Sequence, residues 1–186
     1  EPLAEYIMKQ DAESDILTEA AKYILEEEGK EVKSAEDAAA GALDIIAEQI
    51  SDVADYRTYI RDITFKEGKI VVAAKDAEAE SVYENYYDYN EAIASIPGHR
   101  ILAINRGENE KFLTVKVEAP EDRVLRYLAK QIIKDDNEYT TPYLTECIKD
   151  AYNRLIAPAI EREIRNTLTE TAEDGAIKVF GKNLEQ

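Results

Sequence analysis

"KFLTVKVEAPEDRVLRYLAKQIIK", residues 111–134, is where the reading of the fold is decided. Its first eight residues are rich in β-branched side chains and alternate apolar with polar, the period of a half-buried strand. After Pro120 the period changes. Val124, Leu125, Leu128, Ile132 and Ile133 now share one side, which predicts an amphipathic helix. A second strand-like run, "KIVVAAK" (69–75), lies about forty residues earlier. The two would pair if the segment between them folds back. The expected architecture is therefore mainly α: a multi-helix bundle with a small two-stranded antiparallel β insertion.

Working outward, the flanks read as helices. Ser14 suits a cap for a helix running to about Glu28, with Ile16, Leu17, Ala20, Ala21, Ile24 and Leu25 on one side and Gly29 at its end. "SAED" (34–37) resembles a capping box, with Asp37 in the position of the usual Glu or Gln. The alanine-rich helix after it turns Ala39, Leu43, Ile46 and Ile50 inward. "DVADYRTYIRDITFKEG" reads as a further helix that stops near Gly68.

"DDNEYTT" (135–141) is the best linker candidate, and Pro142 suits the first turn of the next helix. Pro158 starts or kinks the last one. Its apolar stripe, from Ile160 through Ile164, Leu168, Ala172, Ile177, Phe180 and Leu184, needs a neighbour to cover it. Three segments follow, expected to form one compact unit or two tightly packed subdomains: an N-terminal helical part (1–68), a small α/β insertion (69–119) and C-terminal helices (120–186).

Of the 186 residues, 40 are acidic and 23 are Lys or Arg, a formal charge of -17. The charge is uneven: residues 1–60 hold 16 acids against 5 cations, a net of -11. That segment would repel phosphate, because nucleic-acid binding relies on Lys and Arg displacing counterions. At 45% hydrophobic residues the chain is no disordered acidic tail. Cys147 is the sole cysteine, so an internal disulfide and a cysteine-cluster zinc site are both excluded. A reducing, cytoplasmic setting fits. No apolar run approaches the roughly 18 residues of a membrane span, and no signal peptide is visible.

Catalytic chemistry finds little material. His99 and Cys147 each stand alone, with no nucleophile motif and no glycine-rich phosphate loop among seven glycines. The runs "EEE" (26–28) and "DD" (135–136) lack calcium-loop spacing and read as solvated surface. No enzyme, cofactor or metal is expected. The tyrosine run "YENYYDY" could stack bases, but Glu84 and Asp88 interleave it; packing of the β insertion is the competing reading.

"PGHRILAINRG" (97–107) gathers positive charge and backbone punctuation, His99, Arg100 and Arg106 among Pro97, Gly98 and Gly107, in one place. In a structural reading Pro97 and Gly98 start a helix, Ile101, Leu102 and Ile104 enter the core, and Gly107 ends it. His99 and Arg100 would then pair with carboxylates. In a functional reading Arg100, Arg106 and Lys111 form a phosphate patch, with His99 adjusting its charge near neutral pH. Both readings remain open at this point.

Seven stretches carry a resemblance over nearly the whole chain: "EPLAEYI", "AAKYILEE", "GALDIIAEQIS", "FKEGKIVV", "YYDYNEAIASIPGHRILAINRGENEKFLTVKV", "DAYNRLIAPAIEREIRNTL" and "AIKVFGKNL". In that order they resemble the N-terminal helical region of the bacterial Tex-like transcription accessory proteins. The resemblance implies a piece of a longer protein, as the absent initiator Met suggests. In the family the region is followed by an RNase H-like YqgF domain, a helix-hairpin-helix region and an OB-fold RNA-binding domain. Helix-turn-helix elements lie at the family's N-terminus. The function implied is a non-catalytic helical scaffold of a protein that binds RNA or DNA mainly through its other domains. Contacts with transcription machinery and with the YqgF domain are the implied partnerships, without a membrane. The alternative is a direct nucleic-acid-binding module built on His99, Arg100, Arg106 and Lys111.

Overall fold

A computed structural model describes residues 1–24 and 34–184, apart from the side chains of residues 179, 180, 183 and 184. The carboxylate run at 26–28 and the expected end of the first long helix near Glu28 and Gly29 lie outside the described residues. The chain is mainly α, and it forms two compact units. Each unit is assembled from two stretches: residues 1–57 with 122–158, and residues 58–121 with 159–186.

The first unit contains α1 (Pro2–Met8), α2 (Ile16–Ala20), α3 (Ala35–Asp52), α6 (Glu121–Ile132, all but its first residue) and α7 (Thr141–Asp150). Asp15 caps α2 by accepting from the Leu17 N–H, one residue later than the sequence suggests, and α2 gives way to a 3-10 turn at Ala21–Tyr23. Ser34 caps α3 as its sequence predicts, its hydroxyl accepting from the Asp37 N–H at 3.1 Å. Ala39, Ala42, Ile46, Ala47 and Ile50 form the buried side of α3, while Leu43 is half-buried. Val124, Leu128 and Ile132 are the buried line of α6.

The linker candidate is fastened within this unit. Gln10, buried and at φ 59°, donates to the Ile132 carbonyl at 2.7 Å and accepts from the N–H groups of Lys134 and Asp135. Asn137 donates to the Ala12 carbonyl and accepts from the N–H groups of Tyr139 and Thr140. After α7, a π-helical turn (Ala151–Ile156) precedes Pro158, which has no N–H to continue an α-helical ladder. The Ala157 N–H reaches back five residues to the Tyr152 carbonyl.

The second unit contains most of α4 (Ala54–Glu67), α5 (Gly98–Asn109), nearly all of α8 (Ala157–Leu184) and a sheet of β1 (Lys69–Ala74), β2 (Asp88–Ala92) and β3 (Leu113–Glu118). The two expected strands do pair antiparallel, with Val72 opposite Val115. A third strand, β2, joins the other edge of β1, with Val72 opposite Tyr89 and Ile70 opposite Glu91. "DYNEA" lacks the β-branched signal. It is an edge strand whose charges and short length suit an unpaired margin.

Gly68 makes the turn from α4 into β1. A Cβ there would sit 2.4 Å from the Thr64 carbonyl oxygen and 3.0 Å from that of Glu118. Ile70, Val72, Leu113 and Val115 are buried on the sheet face that meets Ile101 and Ile104 of α5 in the core.

Candidate functional site

The segment singled out by its charge folds as α5. Pro97, at φ -73°, stands at the N-cap, and its carbonyl receives the N–H groups of Arg100 and Ile101. Ile101 and Ile104 are buried as the structural reading expects, while Leu102 is half-buried. Gly107 does not end the helix. It lies inside, where a Cβ would stand 2.5 Å from Leu113 Cδ1 and 3.1 Å from Tyr83 Cδ1. This glycine is there for close approach to β3, not for termination.

The helix ends instead on Lys111, at φ 67°. The Phe112 N–H donates to the Gly107 carbonyl and the Lys111 N–H to that of Glu108, the paired bonds of a Schellman motif. Lys111 thus holds the left-handed position that glycine usually takes.

The four candidate residues do not converge. Helical geometry places His99 and Arg106, seven residues apart, on nearly the same side of α5, and both are exposed. Arg100 points about 100° away from His99, towards β2. There one guanidinium nitrogen donates to both Glu91 oxygens at 2.7 and 2.8 Å and to the Tyr89 hydroxyl at 3.1 Å. The Tyr89 hydroxyl also donates to Glu91. Burial works against the Glu91 charge, but Tyr89 and Arg100 outweigh it and hold its carboxyl below the ordinary range. Conversely, the hydrogen bond to Glu91 raises the Tyr89 pKa.

The tyrosine run packs the β insertion. Tyr83 is buried beside Phe112, with ring centroids 5.9 Å apart, and its hydroxyl donates to Glu110. Tyr86 and Tyr89 meet edge to face at 5.3 Å, and the Tyr87 hydroxyl donates to the Ala79 carbonyl.

Sequence reasoning missed the fastening of α5 to α8. Arg165 donates to Glu108 at 2.8 Å and to Asn105 at 2.9 Å, and Asn105 donates to Thr169. These partners lie some sixty residues apart, so no local pattern announces them. Farther along the same helices, Gly98 approaches Ala172, and an apolar cleft of about 600 Å³ opens among Ile96, Leu102, Leu168, Ala172 and Ala176, with His99 at its edge. Beyond it Ile177 is 69% exposed.

Cys147 is buried in the first unit near the Leu43 carbonyl, and burial pushes its thiol up to about 12. At neutral pH it is a small apolar filler, not a nucleophile. Among the described residues no group of three or more His, Cys, Asp and Glu side chains could hold a metal ion, and no helix is long and apolar enough to cross a membrane.

A family model described as Tex central region-like matches residues 11–180. The chain belongs to the Tex family. It is 49% identical to the YdcI protein of Bacillus subtilis (strain 168) over 99% of its own length and 26% of that protein's. It is 30% identical to the Protein tex of Bordetella pertussis, with 99% and 25% covered. With human S1 RNA-binding domain-containing protein 1 it shares 31%, with 84% and 17% covered. The chain thus spans about a quarter or less of the length of these relatives. The Tex-family likeness covers both units, including the segment around α5.

Proposed function

We propose that this chain is the non-catalytic helical scaffold of a Tex-like transcription accessory protein in the cytoplasm, which binds RNA or DNA mainly through its other domains. The observation that carries this reading is the fate of Arg100. One of the two arginines of the candidate patch is spent on Glu91 and Tyr89, fastening α5 to the sheet. The -17 charge supports it, since phosphate would meet net repulsion. So do the names of the relatives, one a transcriptional accessory protein of Neisseria gonorrhoeae and another an S1 RNA-binding domain-containing protein.

The cleft beside α8 and the exposed Ile177 suit an intramolecular neighbour, and the family's YqgF domain is the one we assign. Contact with transcription machinery completes the reading. A fluorescence-anisotropy titration of the isolated chain with RNA and DNA at physiological salt tests it. Negligible affinity is expected; micromolar, salt-sensitive binding would overturn it. The alternative, direct binding around residues 99–111, draws on the exposed His99, Arg106 and Lys111. It requires that Arg106→Glu abolish any binding seen while the thermal midpoint holds.

A further inference from the structure

The candidate patch on α5 is not the surface with the most available positive charge. On α6, opposite the buried line of Val124, Leu128 and Ile132, Arg126 and Lys130 are exposed one turn apart. Lys134, just past the helix end, is also exposed, and its ammonium donates to the Lys130 carbonyl at 3.2 Å. Helical spacing places Arg126 and Lys130 about 40° apart and roughly 6 Å along the axis, and Lys134 follows two residues beyond the helix end. Among the described residues no carboxylate forms an ion pair with Arg126, Lys130 or Lys134. Acids mark the ends of the line, Glu121 and Asp122 before it and Asp135 and Asp136 after it, and do not interrupt it.

From this surface we infer that the α6 stripe is an auxiliary site for the phosphate backbone of a nucleic acid, resting on the scaffold reading above. A folded protein partner would need an apolar anchor at the centre of its interface. Among the described residues the exposed large hydrophobic ones are Ile24, Val53, Val82 and Ile177, none of them on α6. A row of point charges beside neutral Tyr127 and Gln131 instead suits a polyanion read without regard to sequence. Against an overall charge of -17 the stripe cannot recruit nucleic acid by itself. It engages once other domains raise the local concentration.

The test uses the full-length protein with Arg126→Gln, Lys130→Gln and Lys134→Gln combined. Binding to a single-stranded RNA and a duplex DNA is followed over a salt series. The slope of log affinity against log salt should become shallower by about two, from roughly 0.7 per single-strand phosphate contact. Affinity at moderate salt should fall tenfold or more, and Arg126→Lys alone should keep the parent slope. An unchanged slope in a variant with the parent's thermal midpoint overturns the stripe and leaves the scaffold reading intact. If the triple variant unfolds, each single Gln variant must still flatten the slope by about 0.7, or the proposal fails. Strong binding by the isolated chain would overturn the scaffold reading, and the same slopes would then judge the stripe separately.

Discussion

Two helices of twelve residues precede and follow β3 along the chain, and they use charge in opposite ways. In α5 two of the charged side chains are structural: Arg100 holds β2, and Glu108 holds Arg165 of α8. Its core side is interrupted by a glycine so that Leu113 can come close. In α6 the division is clean, with an unbroken apolar line inward and cations outward. A basic residue in a sequence says little about availability until its partners are known. In the sequence the charges of α5 stand among Pro and Gly, whereas α6 reads as an ordinary amphipathic helix.

The sharpest break of this comparison is at the buried sides. Leu128→Ala in α6 should cost about 2–5 kcal/mol, as for other buried leucines whose cavity collapses only in part. Gly107→Ala in α5 adds a single methyl yet should cost about 1–3 kcal/mol, because Leu113 is fully buried and has little room to give. Urea unfolding measures both. A neutral Gly107→Ala would mean that β3 shifts freely against α5.

Next come the arginines. Arg100→Ala should lower the thermal midpoint clearly, since it strips Glu91 of its cation, whereas exposed Arg126→Ala should leave it nearly unchanged. The difference should depend on pH. The Glu91 carboxyl is held below its ordinary value when folded. Its stabilisation is therefore complete above the ordinary carboxylate range and is lost as pH falls through the lowered folded value. The midpoints of the parent and Glu91→Gln should accordingly converge on acidification through and below the ordinary carboxylate range. A gap that persists at low pH would locate the stabilisation elsewhere.

What the residues made legible was whatever is local. The Ser34 cap, the arrest at Gly68, the strand at 113–118, the change of period after Pro120 and the buried Ile101 and Ile104 all follow from neighbouring residues. β2 was illegible because "DYNEA" has no apolar alternation and is set by its partner β1. The compact units draw on discontiguous stretches, while a linear reading divides the chain serially. "DDNEYTT" reads as a linker because nothing near it signals that Gln10, more than 120 residues away, satisfies its backbone. Within the candidate site, position was legible and pairing was not. The acid that would claim Arg100 could not be picked out among 40.

The smallest effect concerns the turn joining α5 to β3, where Lys111 adopts a left-handed backbone that costs a side-chain-bearing residue energy. Lys111→Gly removes that strain and should raise stability by about 0.5–1 kcal/mol, less than the strain itself because glycine also frees the unfolded chain. Since Lys111 is also a candidate phosphate contact, one variant separates the two roles. Under the scaffold reading, Lys111→Gly gains stability and leaves the salt slope of nucleic-acid binding by the full-length protein unchanged. Were the segment around 99–111 the binding surface, the same gain would come with a slope shallower by about 0.7 for a single strand. The α6 substitutions then provide the contrast: they should move the slope without the stability, and Lys111→Gly the stability without the slope.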